Sequence, residues 1–229
     1  MKQVSTTFVW NDELLLKDSF DEPTVSEPGT TFQYINTNPV VLGAIIKKIT
    51  GNPWYVEVHR RISIPLGLGS VTNPADANHV APAAKPYDRW GPISASDIYS
   101  NTLYSAAGAL FGNIADLHTW GCALGSGLLL PPYLNAQRRV FASSGLGSGS
   151  IGYAYNSDGL AIGKNNGWVG HVGFGLGYEG SPCTTQKMPP QFQFCSTVTV
   201  QGFCELCNFS GNSSKSDSVR AAYGLLLLS

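Results

Sequence analysis

The 229-residue sequence predicts an α+β fold: a helical subdomain, then an antiparallel sheet, then a C-terminal helix. Three observations carry that expectation. Residues 39–51 place apolar side chains at helical spacing between a proline and a glycine. From about residue 150 the pattern changes to short β-rich runs separated by Gly, Asn and Asp. Residues 216–228 then return to a helical reading that ends in Leu225-Leu226-Leu227-Leu228.

Each element follows from local chemistry. Asn11-Asp12-Glu13 followed by Leu14-Leu15-Leu16 reads as a short capped helix. Ser26 to Gly29 is turn-rich and leads into Tyr34. Asn38-Pro39 opens the clearest helix, with Pro39 suited to the first helical position and Gly51 suited to closing it. Its expected apolar face is Val41, Leu42, Ile45, Ile46 and Ile49. Trp54 to Arg61 reads as a second helix, broken by Pro65-Leu66-Gly67-Leu68-Gly69. Residues 70–104 show no sustained period and read as surface loops.

Asn113 is positioned to cap a further helix with apolar Ile114, Leu117, Trp120 and Leu124, and a short one follows Pro131-Pro132. Ile151–Tyr155, Trp168–Phe174 and Ser196–Val200 read as strands. The expected organisation is one incomplete domain over 1–229. About 10–149 forms its mainly helical and loop part, and about 150–229 its sheet and terminal helix.

Composition narrows the function. Hydrophobic residues are 43% and charged residues 13%, enough apolar material for a core and too little charge for a disordered chain. The formal net charge is −1 without a Lys/Arg run, which argues against nucleic acid and anionic membranes as partners. No stretch reaches the ~18 apolar residues of a membrane span. Met1 to Trp10 lacks the apolar core of a signal peptide.

Cys183, Cys195, Cys204 and Cys207 gather near the C-terminus, beside the sequons Asn208-Phe209-Ser210 and Asn212-Ser213-Ser214. Together they lead us to expect an extracytoplasmic protein with disulfides. Cys204-Glu205-Leu206-Cys207 with Cys183 and Cys195 would also allow a zinc-binding tail. The Cys183–Cys195 interval, however, is too wide for a ribbon. His59, His79 and His118 share no spacing.

Two segments carry candidate chemistry. In Phe32-Gln33-Tyr34-Ile35-Asn36, an extended chain would aim Tyr34 and Asn36 the same way. A phenol has an ordinary pKa of about 10 and becomes a base only beside cations or strong donors. An Asn amide can hold an ammonium or a carbonyl. In Gly170-His171-Val172-Gly173-Phe174, glycines on both sides of a histidine let a ligand approach the backbone. Taken singly, each has a plainer reading, as a half-buried aromatic with a turn residue and as a histidine bonded to a sheet-edge carbonyl.

In order along the chain, these segments resemble the β-lactamase-related serine hydrolases, a group of class C β-lactamases, DD-carboxypeptidases and esterases. Pro28–Gly51 resembles the second-motif region. Ser105-Ala106-Ala107-Gly108-Ala109-Leu110 through Leu124 resembles a later family stretch. Gly170-His171-Val172-Gly173, with Gly177-Tyr178, resembles the third motif in its His-x-Gly form. The resemblance covers about residues 10–180 and implies a partial β-lactamase/transpeptidase-like fold without metal or organic cofactor. It further implies acyl transfer to water from an amide, peptide, β-lactam or ester, with a small molecule or peptide as substrate.

By that resemblance Tyr34 is the general base, and Asn36 positions the substrate and a lysine. His171 and Gly173 line the substrate strand, and the Phe174 N–H is an oxyanion donor. The chain departs from the family pattern in several ways. No Ser-x-x-Lys occurs in it, Ile35 stands where a small residue is usual, and Val172 replaces a threonine. The family places Ser-x-x-Lys upstream, so a piece of a longer enzyme is expected ahead of a degenerate homologue. Either way the chain is expected to be a poor catalyst. A non-catalytic binding protein is the alternative.

Overall fold

A computed structural model describes residues 8–73, 87–88, 91–92, 100–143, 157–165, 167–171, 173–175, 178–180, 183–185, 194–195 and 223–226. The expected strands at 151–155 and 196–200, both sequons, Val172, Gly177, Cys204 and Cys207 lie outside them.

Helix α1 (Asp12–Phe20) starts as the sequence predicts, with the Asn11 side chain accepting from the Leu14 N–H at 2.9 Å. Helix α2 spans Thr37–Thr50 and closes at Gly51, where φ is 76°. It begins two residues before Pro39. A hydroxyl contact of 2.7 Å between Ser19 and Thr37 ties α1 to α2.

The buried face of α2 differs from the one its periodicity predicts. Val40 and Gly43 are buried, while Leu42, Ile45 and Ile49 are 58%, 44% and 78% exposed. The reason is close approach. A Cβ on Gly43 would stand 3.0 Å from the Ala106 Cβ and 3.1 Å from Trp54 Cδ1. The helix therefore packs through its smallest residue, and that contact sets its rotation.

Helix α3 (Trp54–Val58) begins a helical run that passes the expected end at Arg61 and stops within the expected break. It continues through a π turn (His59–Ser63) into α4 (Ile64–Leu66), with Gly67 as its cap. The widened turn leads into Pro65, which has no N–H to give a regular helix. The buried Glu57 carboxylate takes bonds from Arg61, Arg60 and Asn52 at 2.5, 2.8 and 2.8 Å. Those donors, Arg61 first, hold its pKa down at about 2.

After short strands β1 (Tyr87–Asp88) and β2 (Gly91–Pro92), a 3₁₀ segment covers Asn101–Ala107, part of the stretch expected as loop. Ser105 within it has φ 40° and ψ −131°, a backbone state that costs on the order of 1–3 kcal/mol. Its hydroxyl donates to the Asp12 carboxylate, which anchors the turn against the start of α1.

Strand β3 (Leu110–Asn113) runs into helix α5 (Ile114–Ser126), with Asn113 capping the Asp116 N–H at 2.9 Å. Helix α6 (Pro132–Arg138) follows. Trp54, Ala109, Leu110 and Leu117 form a buried apolar cluster, with Ile46, Val58 and Trp120 against it.

The strands beyond are β4 (Ala142–Ser143), β5 (Ser157–Asp158), β6 (Gly163–Asn165), β7 (Trp168–Gly170), β8 (Gly173–Gly175), β9 (Tyr178–Gly180), β10 (Cys183–Thr185), β11 (Phe194–Cys195) and β12 (Tyr223–Leu226). Among the described residues, six pair antiparallel in the order β11-β10-β7-β6-β5-β4. The stretch expected as one strand over 168–174 is divided, because β8 pairs with β9 instead.

The C-terminal helix is a correction. Tyr223–Leu226 is a strand, antiparallel to β3 with Leu225 opposite Phe111. A run of four leucines has no helical period of its own, so pairing with an available strand decides its form.

Gly43→Val should lower unfolding stability by about 1–3 kcal/mol, because the added methyls meet Trp54 and Ala106. Urea melts check this, and an unchanged midpoint would show that α2 is not in such close contact.

Candidate active site

Tyr34 lies on the extended approach to α2, and His171 directly follows β7. They are far apart in sequence, yet their ring centroids stand 6.1 Å apart with planes at 37°. Both line one cavity of about 410 Å³. Its walls are largely apolar, with Phe32, Leu42, Ile46, Trp54 and Val58 among them. Tyr34 is half-buried and His171 is buried.

The other expected site residues are placed differently. Asn36 is exposed at the head of α2 and does not line this cavity. Its φ of −63° and ψ of −19° are helical, so the extended geometry that would align it with Tyr34 is not present. Asn38 lines the cavity instead. Gly173 is buried and Phe174 follows it on β8, where they pair with Gly180 and Glu179. Ile35 also borders the cavity.

No motif or spacing marks the charged group in this cavity. Asp158 is 6% exposed, and one of its carboxylate oxygens is buried without a hydrogen-bond partner among the described residues. Burial raises its pKa to about 6. Register explains how it fits: Asp158 pairs with Gly163 on β6, and Gly163 with Gly170 on β7, so the row carries no side chain on that side of the carboxyl, while on β4 its partner is the small Ala142. A lone Asp before a glycine reads only as a turn residue.

The turn after Asp158 is fixed from outside the sheet. The Gly159 N–H donates to the Ile162 carbonyl at 2.8 Å, and the Leu160 N–H to the Arg138 carbonyl at 2.9 Å. Arg138 donates through Nε to the Leu160 carbonyl at 3.1 Å and through Nη2 to that of Ala161 at 3.0 Å. A Cβ on Gly159 would fall 2.2 Å from the Arg138 carbonyl oxygen, so only glycine lets the turn reach α6.

A second, wider cavity of about 910 Å³ lies along α1 and α2, lined by Asp12, Lys47, Lys48 and Ser105. It shares Gly43 and Trp54 with the first but neither Tyr34 nor His171. Among the described residues, no three His, Cys, Asp or Glu side chains gather as a metal ion requires. Among them, too, no helix is long and apolar enough to cross a membrane.

A sequence model of the family described as Beta-lactamase matches residues 3–183. The chain belongs to the β-lactamase family. Solved structures agree on the fold. A D-stereospecific amidohydrolase from Streptomyces sp. is 26% identical, with a TM-score of 0.66 over 78% of this chain and 54% of its own. The D-amino acid amidase of Ochrobactrum anthropi SV3, complexed with D-phenylalanine, is 18% identical, with a TM-score of 0.72 over 88% and 65%. A penicillin-binding protein from Bacillus halodurans is 14% identical, with a TM-score of 0.66 over 89% and 62%. The chain thus spans between about half and two thirds of the length of these structures. Its scaffold is that of the β-lactamase-family serine hydrolases, a mixed α+β fold present in part.

The raised Asp158 pKa makes stability pH-dependent with a definite sign. The unfolded carboxyl titrates near 3.9 and the folded one at about 6, so its favourable contribution is complete below 3.9 and fades as pH rises through 6. Asp158→Asn should therefore lose less stability than the native chain between pH 4 and 7. Thermal unfolding across that range checks this, and parallel curves would refute it.

Proposed function

We propose that this chain supplies the general-base and substrate-facing parts of a serine hydrolase site that transfers an acyl group to water. The observation that carries this reading is the 6.1 Å approach of the Tyr34 and His171 rings within one cavity. In the reaction a serine hydroxyl gives its proton to the Tyr34 phenolate as its oxygen bonds the acyl carbon. The leaving group takes that proton, and water then releases the acyl group by the same route. The Phe174 N–H would hold the oxyanion, and His171 and Gly173 would line the substrate, while Asn36, outside the cavity, is given no part.

The substrate classes are amide, peptide, β-lactam and ester. Amides are favoured, since the amidohydrolase and the D-amino acid amidase share this fold. The nucleophile is the missing part: the sequence contains no Ser-x-x-Lys. The chain alone is therefore inactive, as a piece of a longer enzyme, because the remaining groups act through that hydroxyl. Without a nucleophile the same cavity also suits a non-catalytic binding protein.

One experiment separates these readings. The chain alone should not hydrolyse nitrocefin, p-nitrophenyl acetate or phenylalanine amide. Fusion to an N-terminal Ser-x-x-Lys segment from a family member should restore turnover on at least one of them, and Tyr34→Phe should then reduce it by a factor of roughly 100 or more. A folded but inert fusion would leave the binding protein as the better reading.

An extracytoplasmic location is proposed from the cysteines and sequons. Register sets Cys183 opposite Cys195 across β10 and β11, while Cys122 is a free thiol. Alkylation without reductant should modify one of the five cysteines, Cys122. Five adducts would contradict an oxidised protein.

A further inference from the structure

We propose that Asp158 is the seat for a substrate ammonium, so that the Tyr34–His171 cavity selects unblocked aminoacyl amides over neutral or carboxylate-bearing compounds. The identity of the cleaved bond rests on the hydrolase reading; the recognition of an amine does not.

Three observations support the assignment. First, the carboxyl is buried, lines the cavity and leaves one oxygen without a hydrogen-bond partner among the described residues. An unpaired polar atom in such a place costs free energy that a ligand donor recovers, and a cationic donor recovers most. Second, the neighbouring guanidinium does not meet this need. Arg138 directs Nε and Nη2 to the Leu160 and Ala161 carbonyls just past Asp158, and the free carboxylate oxygen accepts no bond from it. Third, Gly163 and Gly170 leave the β6 and β7 side of the carboxyl free of side chains, and on the β4 side stands only the methyl of Ala142, which leaves lateral room for a small head group.

The remaining walls define the rest of the ligand. Phe32, Leu42, Ile46, Trp54 and Val58 offer apolar surface to a hydrocarbon side chain. A volume of about 410 Å³ fits one aminoacyl unit rather than a long peptide. A carboxylate on the ligand would meet the Asp158 charge in a weakly screened space and be repelled. This separates the four substrate classes. A free-amine amide fits, whereas the carboxylate of a typical β-lactam does not.

The test is calorimetric titration of the chain as it stands with three probes that share a phenyl group. They are phenylalanine amide as cation, N-acetylphenylalanine amide as neutral form, and 3-phenylpropionate as anion. At pH 7.5 the cation should bind at least tenfold more tightly than the neutral probe, and the anion most weakly. Asp158→Asn should erase the gap between cation and neutral.

A second measurement needs no variant. In the native chain the gap should narrow from pH 7.5 to 4.5 as the carboxyl takes a proton. Tyr34 and His171 share the cavity, and Arg138 holds the adjoining turn. Asp158→Asn serves as the control for these neighbours, since any narrowing that persists in it does not come from Asp158.

Equal affinity for cation and neutral, a gap that survives in Asp158→Asn, or no binding of any probe would overturn the assignment. The outcome is separable from the hydrolase reading. An active fusion that prefers N-acetylated amides would sink the ammonium seat alone, while an inert fusion whose cavity still prefers the amine would sink hydrolysis alone.

Discussion

The close contact at Gly43 governs the rest of this structure. Helix α2 comes so near Trp54 and Ala106 that no larger side chain fits between them. That contact fixes the rotation of α2, and the rotation decides which residues face each cavity. Trp54 stands at the junction, in the buried cluster and in the wall of both cavities. A helix that packs through glycine gains backbone proximity at the cost of apolar burial. Here the surrendered surface is Leu42, Ile45 and Ile49, all at least 44% exposed.

The candidate site follows from that placement. The extended approach to α2 carries Tyr34, and the residue after β7 is His171. Their meeting sets a phenol and an imidazole in an apolar surround, where a neighbouring charge acts strongly. Asp158 is such a charge. It reaches the site at the base of a turn that α6 holds through Arg138, so helix, hairpin and cavity wall form one connected support. Preorganisation of this kind keeps polar groups in place without help from solvent.

Local chemistry made several elements legible from the sequence. Asn11 and Asn113 cap helices because an amide side chain followed by helix-forming residues needs no tertiary information. Gly51 ends α2 for an equally local reason. The failures were non-local. The apolar period of α2 marks a face, yet the burial of that helix is set by Trp54 and Ala106. Leu225 and Leu226 take their form from β3, a strand far away in sequence. Motif order brought Tyr34 and His171 forward together, whereas Asn36 was aligned by an extended geometry that the start of α2 replaces. Asp158 gave no signal, because burial is a property of the assembled sheet and not of the three letters Ser-Asp-Gly.

The outward stripe of α2 has a consequence for behaviour in solution. With a formal net charge of −1 and an isoelectric point near 6.4, long-range repulsion between molecules is weak. Leu42, Ile45 and Ile49 then join the other exposed apolar side chains as sticky ground that electrostatics does not guard. Encounters between copies will be ruled by hydrocarbon contact, little affected by charge screening and strengthened by warming towards room temperature.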